Sequence, residues 1–264
     1  MLKIRCIEDV FIKYSQSIQA AKADIWFIHG FGESGLSFIE SFSSKLSLNY
    51  NMYVLDLPGF GASPLQEQYV SFEEISELLL IIIKKISSQQ PLIIISHSMG
   101  SIVGQYLCQK LDNQVELFVS VEGFLIEDKE RYSSKFSQFP SAIDFKSAIL
   151  KTVSRQVETN IPMARYFASL LFADAEVIMQ WARNCYINTN FEKLRTDFLN
   201  LDCKKIYISG RSLAKGQTDF LKHNQIKHIE LDSDHWVMID QFKEFYETIK
   251  KHAEACFAHV ELSE

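Results

Sequence analysis

Residues 92–104 read Leu-Ile-Ile-Ile-Ser-His-Ser-Met-Gly-Ser-Ile-Val-Gly, and no other stretch of the chain restricts the possible folds as much. Four consecutive large apolar residues bounded by small ones make a buried strand, while from Gly100 the pattern has helical period through about Leu111. The chain must therefore pass from strand to helix around Ser98. It can turn that sharply only where the residues two before and two after are small, as Ser96 and Gly100 are. Such a turn exposes the Ser98 hydroxyl and aims the Met99 N–H, at the start of the helix, towards the same point.

Around this segment, short apolar runs alternate with longer helical stretches, the pattern of a mostly parallel, doubly wound sheet covered by helices. Residues 25–28, 52–56, 92–95, 115–121, 206–209 and 226–231 read as strands in that order. The first fourteen residues, through 4–6 and 10–14, read as an antiparallel hairpin at the sheet edge. Ser71 and Glu74 form a capping box that opens a helix running to Ile86, and residues 241–256 give a closing amphipathic helix. Between Glu122 and Lys204 the alternation stops, and helical spacing continues with Phe136, Phe139, Phe145 and other aromatic residues. A structureless loop of that length does not fit a compact domain. The expected α/β architecture is a core of residues 1–124 and 203–264 with a helical cap, residues 125–202, inserted over one end of the sheet. Most of the cap's aromatic residues should form its own interior, and some should face a ligand beyond the carboxyl ends of the strands.

The chain has 264 residues, 47% of them hydrophobic, which suffices for one large core without disulfide staples. A formal net charge of -6 argues against nucleic-acid binding as the main task, since phosphate recognition needs clustered excess Lys and Arg. The five cysteines are odd in number and widely spaced, with no C-x-x-C pair, and read as reduced thiols of a cytoplasmic protein. The first ten residues interleave charges with apolar residues, unlike a signal peptide, and the longest apolar run, residues 78–83, is far too short to span a membrane. Gly59-x-Gly61 lacks the third glycine and downstream acid of a dinucleotide fingerprint. No metal-ligand spacing appears, so neither a metal nor a diffusible cofactor is expected.

Four segments together carry a resemblance: His29-Gly30-Phe31-Gly32 after one strand, residues 56–63 (Asp-Leu-Pro-Gly-Phe-Gly-Ala-Ser) after the next, Ser96-His97-Ser98-Met99-Gly100, and Asp234-His235-Trp236 near the end. With them the chain resembles the α/β-hydrolases over nearly its whole length. The resemblance implies that Ser98 is a nucleophile and that the backbone N–H groups of Phe31 and Met99 form an oxyanion hole. A serine hydroxyl is a poor nucleophile at neutral pH and needs an adjacent imidazole. Of the seven histidines, His97 lies inside the turn, where its side chain should point away from the Ser98 hydroxyl and pack structurally. His252 and His259 lie on or beyond the last helix. His235 follows the last strand in a polar loop at the edge where Ser98 should be, and is the expected general base.

The third member departs from the commoner family pattern, in which an Asp stands three residues past a glycine after the strand at 206–209. Here Gly210 is followed by Arg211-Ser212-Leu213. A minority of the family, including haloalkane dehalogenases, carries the acid after the preceding strand, and Glu122 fits that place, with Asp219 in reserve. Dehalogenases and epoxide hydrolases of this fold use Asp as nucleophile, which Ser98 argues against. The implied activity is hydrolysis of a carboxylic ester or thioester of small to medium acyl chain through an acyl-enzyme. Carbon–carbon bond hydrolases and lactonases share this machinery, and a non-catalytic ligand-binding homologue is the reading from another class. The segment from Lys129 to Arg165 also carries Arg131, Lys135, Lys146, Lys151 and Arg155. If these converge at the rim of the site, they would attract an anionic leaving group or an acyl carrier protein.

Overall fold

A computed structural model describes residues 2–129 and 131–258, so Met1, Glu130 and His259 lie outside the described residues. In chain order the elements are β1 (Lys3–Ile7), β2 (Val10–Ser15), β3 (Ala23–Ile28), β4 (Tyr50–Asp56), α1 (Phe72–Ile86), β5 (Leu92–His97), α2 (Gly100–Leu111) and β6 (Val115–Val121). There follow α3 (Ala142–Val153), α4 (Ile161–Phe172), α5 (Ala175–Arg183), α6 (Phe191–Leu199), β7 (Lys204–Ser209), α7 (Lys215–His223), β8 (Lys227–Glu230), α8 (Val237–Asp240) and α9 (Phe242–Phe257). The eight strands form one sheet in the order β1-β2-β4-β3-β5-β6-β7-β8. The hairpin β1–β2 joins β4 antiparallel, and every other pairing is parallel.

Burial explains why the central strands read as unbroken apolar runs. Every residue of β3 and β5 is buried, because helices cover both faces of a parallel sheet. The chain leaves β3 towards β4 on one side and leaves β5 towards β6 on the other, so the loops at the carboxyl ends of these two neighbours diverge and open a crevice where α/β sheets place ligands. The capping box of α1 is present with both reciprocal hydrogen bonds. Helix α7 had no clear signal in the sequence, since it is short, contains Gly216 and buries little more than Gln217 and Leu221.

The segment between β6 and β7 holds α3–α6 and a 3-10 turn at Tyr132–Gln138. It is tied to the carboxyl-end loops by the Asp174 N–H donating to the Gly59 carbonyl at 3.0 Å and by a 3.0 Å hydroxyl contact between Ser34 and Ser169. Phe145 is fully buried, with ring centroids 6.4 Å from Phe31 and 5.5 Å from Phe139, and Trp181 packs edge-on against Phe60 and Phe72. Phe136, Phe139 and Phe145 thus pack into the interior rather than lining the cavity described below.

Gly100 sits where α2 crosses the end of β3. A Cβ there would lie 2.2 Å from the His29 backbone carbonyl oxygen, which no side-chain rotation relieves. Gly100→Ala is therefore expected to lower stability by about 1–3 kcal/mol through overpacking, read as a lower urea midpoint at unchanged m-value. An unaltered midpoint would contradict this packing.

Candidate active site

Three parallel strand ends bring the site together. The ladder between β5 and β6 pairs His97 with Val121, and that between β6 and β7 pairs Val121 with Ile208. It continues one step past the strands: the Ser98 N–H donates to the Val121 carbonyl and the Glu122 N–H to the Ile208 carbonyl, each at 2.8 Å. Ser98 and Glu122 then leave the sheet side by side, both with left-handed backbone, φ +52° and +49°. Neither is glycine, so both positions store local strain, which clusters at functional sites.

His235 stands between them. Its Nε2 lies 3.1 Å from Ser98 Oγ, and its Nδ1 lies 3.1 Å from Glu122 Oε2. The other Glu122 oxygen accepts the Gly210 N–H at 2.7 Å. The structure thus brings Ser98, His235 and Glu122 together, whereas Asp219 is exposed on α7 and away from the cavity. Gly210, directly after β7, thus donates to a carboxylate at the end of the neighbouring strand.

Burial raises the Glu122 carboxyl, but the hydrogen bond and charge of His235, the Gly210 N–H and the Arg131 guanidinium outweigh it and keep the carboxyl below its ordinary value. Burial, reinforced by the charge of Arg131, pushes the His235 imidazole down to about 4 despite Glu122. A neutral imidazole beside a serine hydroxyl can take its proton.

A cavity of about 360 Å³ opens above Ser98, at the small end of ligand sites. Phe31 and Met99 line it beside the serine, and Phe124, Tyr132, Met163, Tyr166 and Trp236 supply most of its apolar wall. Its polar wall includes Glu33 and Arg131, whose roles the sequence alone did not disclose. Glu33 is 2% exposed; its Oε1 lies 2.7 Å from His97 Nδ1 and accepts the Trp236 indole N–H at 3.1 Å, while its Oε2 accepts the Ser37 hydroxyl at 2.9 Å. Burial opposes ionisation of Glu33, but His97, with help from His29 and His235, holds its carboxyl at about 2. His97 Nε2 in turn donates to the His235 backbone carbonyl at 3.0 Å. His97 therefore packs structurally, as expected, and anchors the loop that carries His235.

His29 is also structural: its Nδ1 donates to the Gly30 carbonyl at 2.9 Å, and its Nε2 accepts the Leu57 N–H at 3.0 Å. Asp56 accepts from the Gly35 N–H at 2.7 Å and from Lys13 at 2.8 Å, so one buried carboxylate organises the loops after β3 and β4. Glu33, His97 and His235 bring ligand-type atoms within 4.8 Å of one another, the arrangement among the described residues that could hold a metal. The contacts just given already engage each of these side chains.

The basic residues do not converge. Of those named above, Arg131 alone lines the cavity; Arg165 pairs with Glu40, Lys129 lies 3.6 Å from Glu127, and Lys146 donates to the Leu171 and Ala173 carbonyls. Lys135, Lys151 and Arg155 are exposed. Among the described residues no helix is long and apolar enough to cross a membrane.

Comparisons with known proteins agree with this geometry at the level of fold. A sequence profile for the alpha/beta hydrolase fold matches residues 25–162. A thermophilic esterase from Thermogutta terrifontis superposes with TM-score 0.77 at 13% identity, covering 97% of this chain and 99% of its own. The enol-lactonase from Burkholderia xenovorans LB400 gives 0.74 at 16% identity, covering 94% and 98%. A thioesterase domain from the curacin biosynthetic pathway gives 0.71 at 16% identity, covering 95% and 99%. No curated protein matches the chain by sequence.

Because His235 must be neutral to accept a proton, the acid limb of kcat/KM for a neutral ester is expected near pH 4 rather than at the ordinary 6.5. The unfolded chain protonates this histidine at the ordinary value and the folded one only near 4, so its contribution to stability is lost as pH falls between these limits. A kinetic limb at 6.5 or above would contradict a buried, neutral imidazole.

Proposed function

Since this chain belongs to the alpha/beta hydrolase fold family, we propose that it is a serine hydrolase of carboxylic esters or thioesters working through an acyl-enzyme. The observation that carries the reading is the unbroken chain of contacts Ser98 Oγ, His235 Nε2, His235 Nδ1 and Glu122 Oε2, each step 3.1 Å, at the floor of a cavity. Ser98 Oγ attacks the substrate carbonyl carbon while its proton passes to His235 Nε2. The resulting oxyanion takes hydrogen bonds from the Phe31 and Met99 N–H groups. As the tetrahedral intermediate collapses, the carbon–oxygen or carbon–sulfur bond breaks and His235 returns the proton to the leaving alcohol or thiol. Water then attacks the acyl-enzyme and gives a proton to His235, which passes it to Ser98 Oγ as the bond from Oγ to the acyl carbon breaks, releasing the acid and the free serine. Glu122 accepts a hydrogen bond from Nδ1–H throughout and stabilises the imidazolium.

The cavity volume favours small to medium acyl groups. Residues 125–202 act as a cap over the site, contributing Arg131, Tyr132, Met163 and Tyr166 to its wall. The structurally similar proteins named above, an esterase, a lactonase and a thioesterase domain, fit the same reading. An acyl carrier partner gains little from the arrangement, since the basic side chains are dispersed. The free thiols favour a reducing compartment, and we place the protein in the cytoplasm.

Ser98→Ala is expected to abolish turnover of p-nitrophenyl esters, a loss of about 10⁴-fold or more, and His235→Ala nearly as much, the two losses not adding. Glu122→Gln should cost about 10²–10⁴-fold in kcat by misorienting the imidazole, with Asp219→Asn near wild type. Ester hydrolysis retained by Ser98→Ala would refute the reading, and wild-type kinetics for Glu122→Gln would move the acid elsewhere.

A further inference from the structure

His235 Nδ1 has two neighbours that make opposite demands. Glu122 Oε2, at 3.1 Å, accepts and so calls for a proton on Nδ1. Arg131 Nη1, at 3.0 Å, can only donate and so calls for a lone pair there. One nitrogen cannot meet both demands at once. When Arg131 is engaged, the imidazole proton sits on Nε2, facing Ser98, and the ring has no lone pair with which to take the serine proton.

In the tautomer with the ring proton on Nδ1, Glu122 does not need the guanidinium, because its oxygens are served by the Gly210 N–H and by His235. In the other tautomer Arg131 Nη2, 3.6 Å from Oε2, is the positive charge that faces it. The guanidinium is fixed at its other end, where Nε donates to Asp128 Oδ2 at 2.8 Å. The backbone nearby is also held: the Tyr186 hydroxyl donates to the Asp128 carbonyl at 2.8 Å and lies 3.2 Å from the Ser133 hydroxyl. The two Nη groups are the part of the plane turned to the site, Nη1 to His235 and Nη2 towards Glu122, and they can leave it by a swing of the guanidinium about the anchored Nε. They border the cavity, where Arg131 is the one Lys or Arg among the described lining residues, and the side chain remains 30% exposed. A guanidinium presents paired N–H donors that match the two oxygens of a carboxylate better than they match a ring nitrogen.

We propose that Arg131 is the recognition residue for a carboxylate carried by the substrate, and that in the empty site it rests against His235 and holds it in the tautomer that cannot act as base. The inference rests on the serine-hydrolase reading and names its substrate class. A carboxylate entering the cavity draws the Nη groups away from His235. The ring then places its proton on Nδ1 towards Glu122 and offers Nε2 to Ser98. Substrate charge would thus select both binding and the competent state of the base.

The test compares esters that differ in one carboxylate. p-Nitrophenyl hydrogen glutarate is set against p-nitrophenyl valerate for a charge on the acyl side, and 4-carboxyphenyl valerate against phenyl valerate for a charge on the leaving group. In the unaltered protein the anionic member of one pair should have the higher kcat/KM. Arg131→Gln should raise KM for that member by about 10-fold or more, the worth of a charged hydrogen bond, while hydrolysis of its neutral partner becomes faster because the resting contact is gone. The order of preference within the pair then inverts. The pair that inverts identifies the side bearing the carboxylate. Hydrolysis of the neutral esters with no anionic preference in either pair, or a preference that survives Arg131→Gln, would overturn the role of Arg131 and leave the hydrolase reading standing. Failure to hydrolyse any of the four would overturn that reading and this inference with it.

Discussion

The site depends first on the register of three parallel strands. Pairing His97 with Val121 and Val121 with Ile208 fixes where β5, β6 and β7 end relative to one another, and the ladder's next rungs hold Ser98 and Glu122 in left-handed backbone at adjacent positions. A shift by one residue in β6 would turn the Glu122 side chain to the other face of the sheet. The same edge fixes the loop carrying His235, because the Arg211 N–H donates to the Ser233 carbonyl at 2.9 Å and the Leu231 N–H to the Ser209 carbonyl at 2.8 Å. Backbone hydrogen bonds of a buried sheet thus set the spacing of three polar side chains, none of which would be stable at such depth alone.

Buried carboxylates are the second constraint. Glu33, Asp56 and Glu122 are each 2% exposed, and each is surrounded by donors from more than one chain segment. Asp56 joins the loops after β3 and β4, while Glu33 joins the first of them to His97 and Trp236. Removing one partner from such a group leaves a charge without compensation, which costs more than the interaction contributes when intact. The rigid frame around Ser98 therefore rests on polar networks as much as on the apolar sheet beneath.

Much of this was legible in the sequence because strong local signals and the fold agree. Consecutive apolar residues marked the buried strands, Ser71 and Glu74 marked the start of α1, and small residues around Ser98 marked the turn. The positions of Ser98, His235 and Glu122 followed from where those strands had to end and from the family resemblance. Arg131 was visible only as one basic residue among several, since nothing local distinguishes a guanidinium that turns into the cavity from one that pairs at the surface, as Arg165 does with Glu40. Glu33 gave no signal either: its partners, His97 and Trp236, are remote in sequence and meet it only through the topology of the sheet. Helix α7 was missed because its sequence lacks an extended apolar face.

The central claim is that the Ser98 hydroxyl is activated by His235 as a nucleophile. Its most direct test is the mass of the intact protein after treatment with a fluorophosphonate, followed by mapping of the modified peptide. A single adduct on Ser98, lost when His235 is replaced by Ala, is the result predicted. No adduct at neutral pH, or one on another residue with Ser98 unmodified, would contradict it.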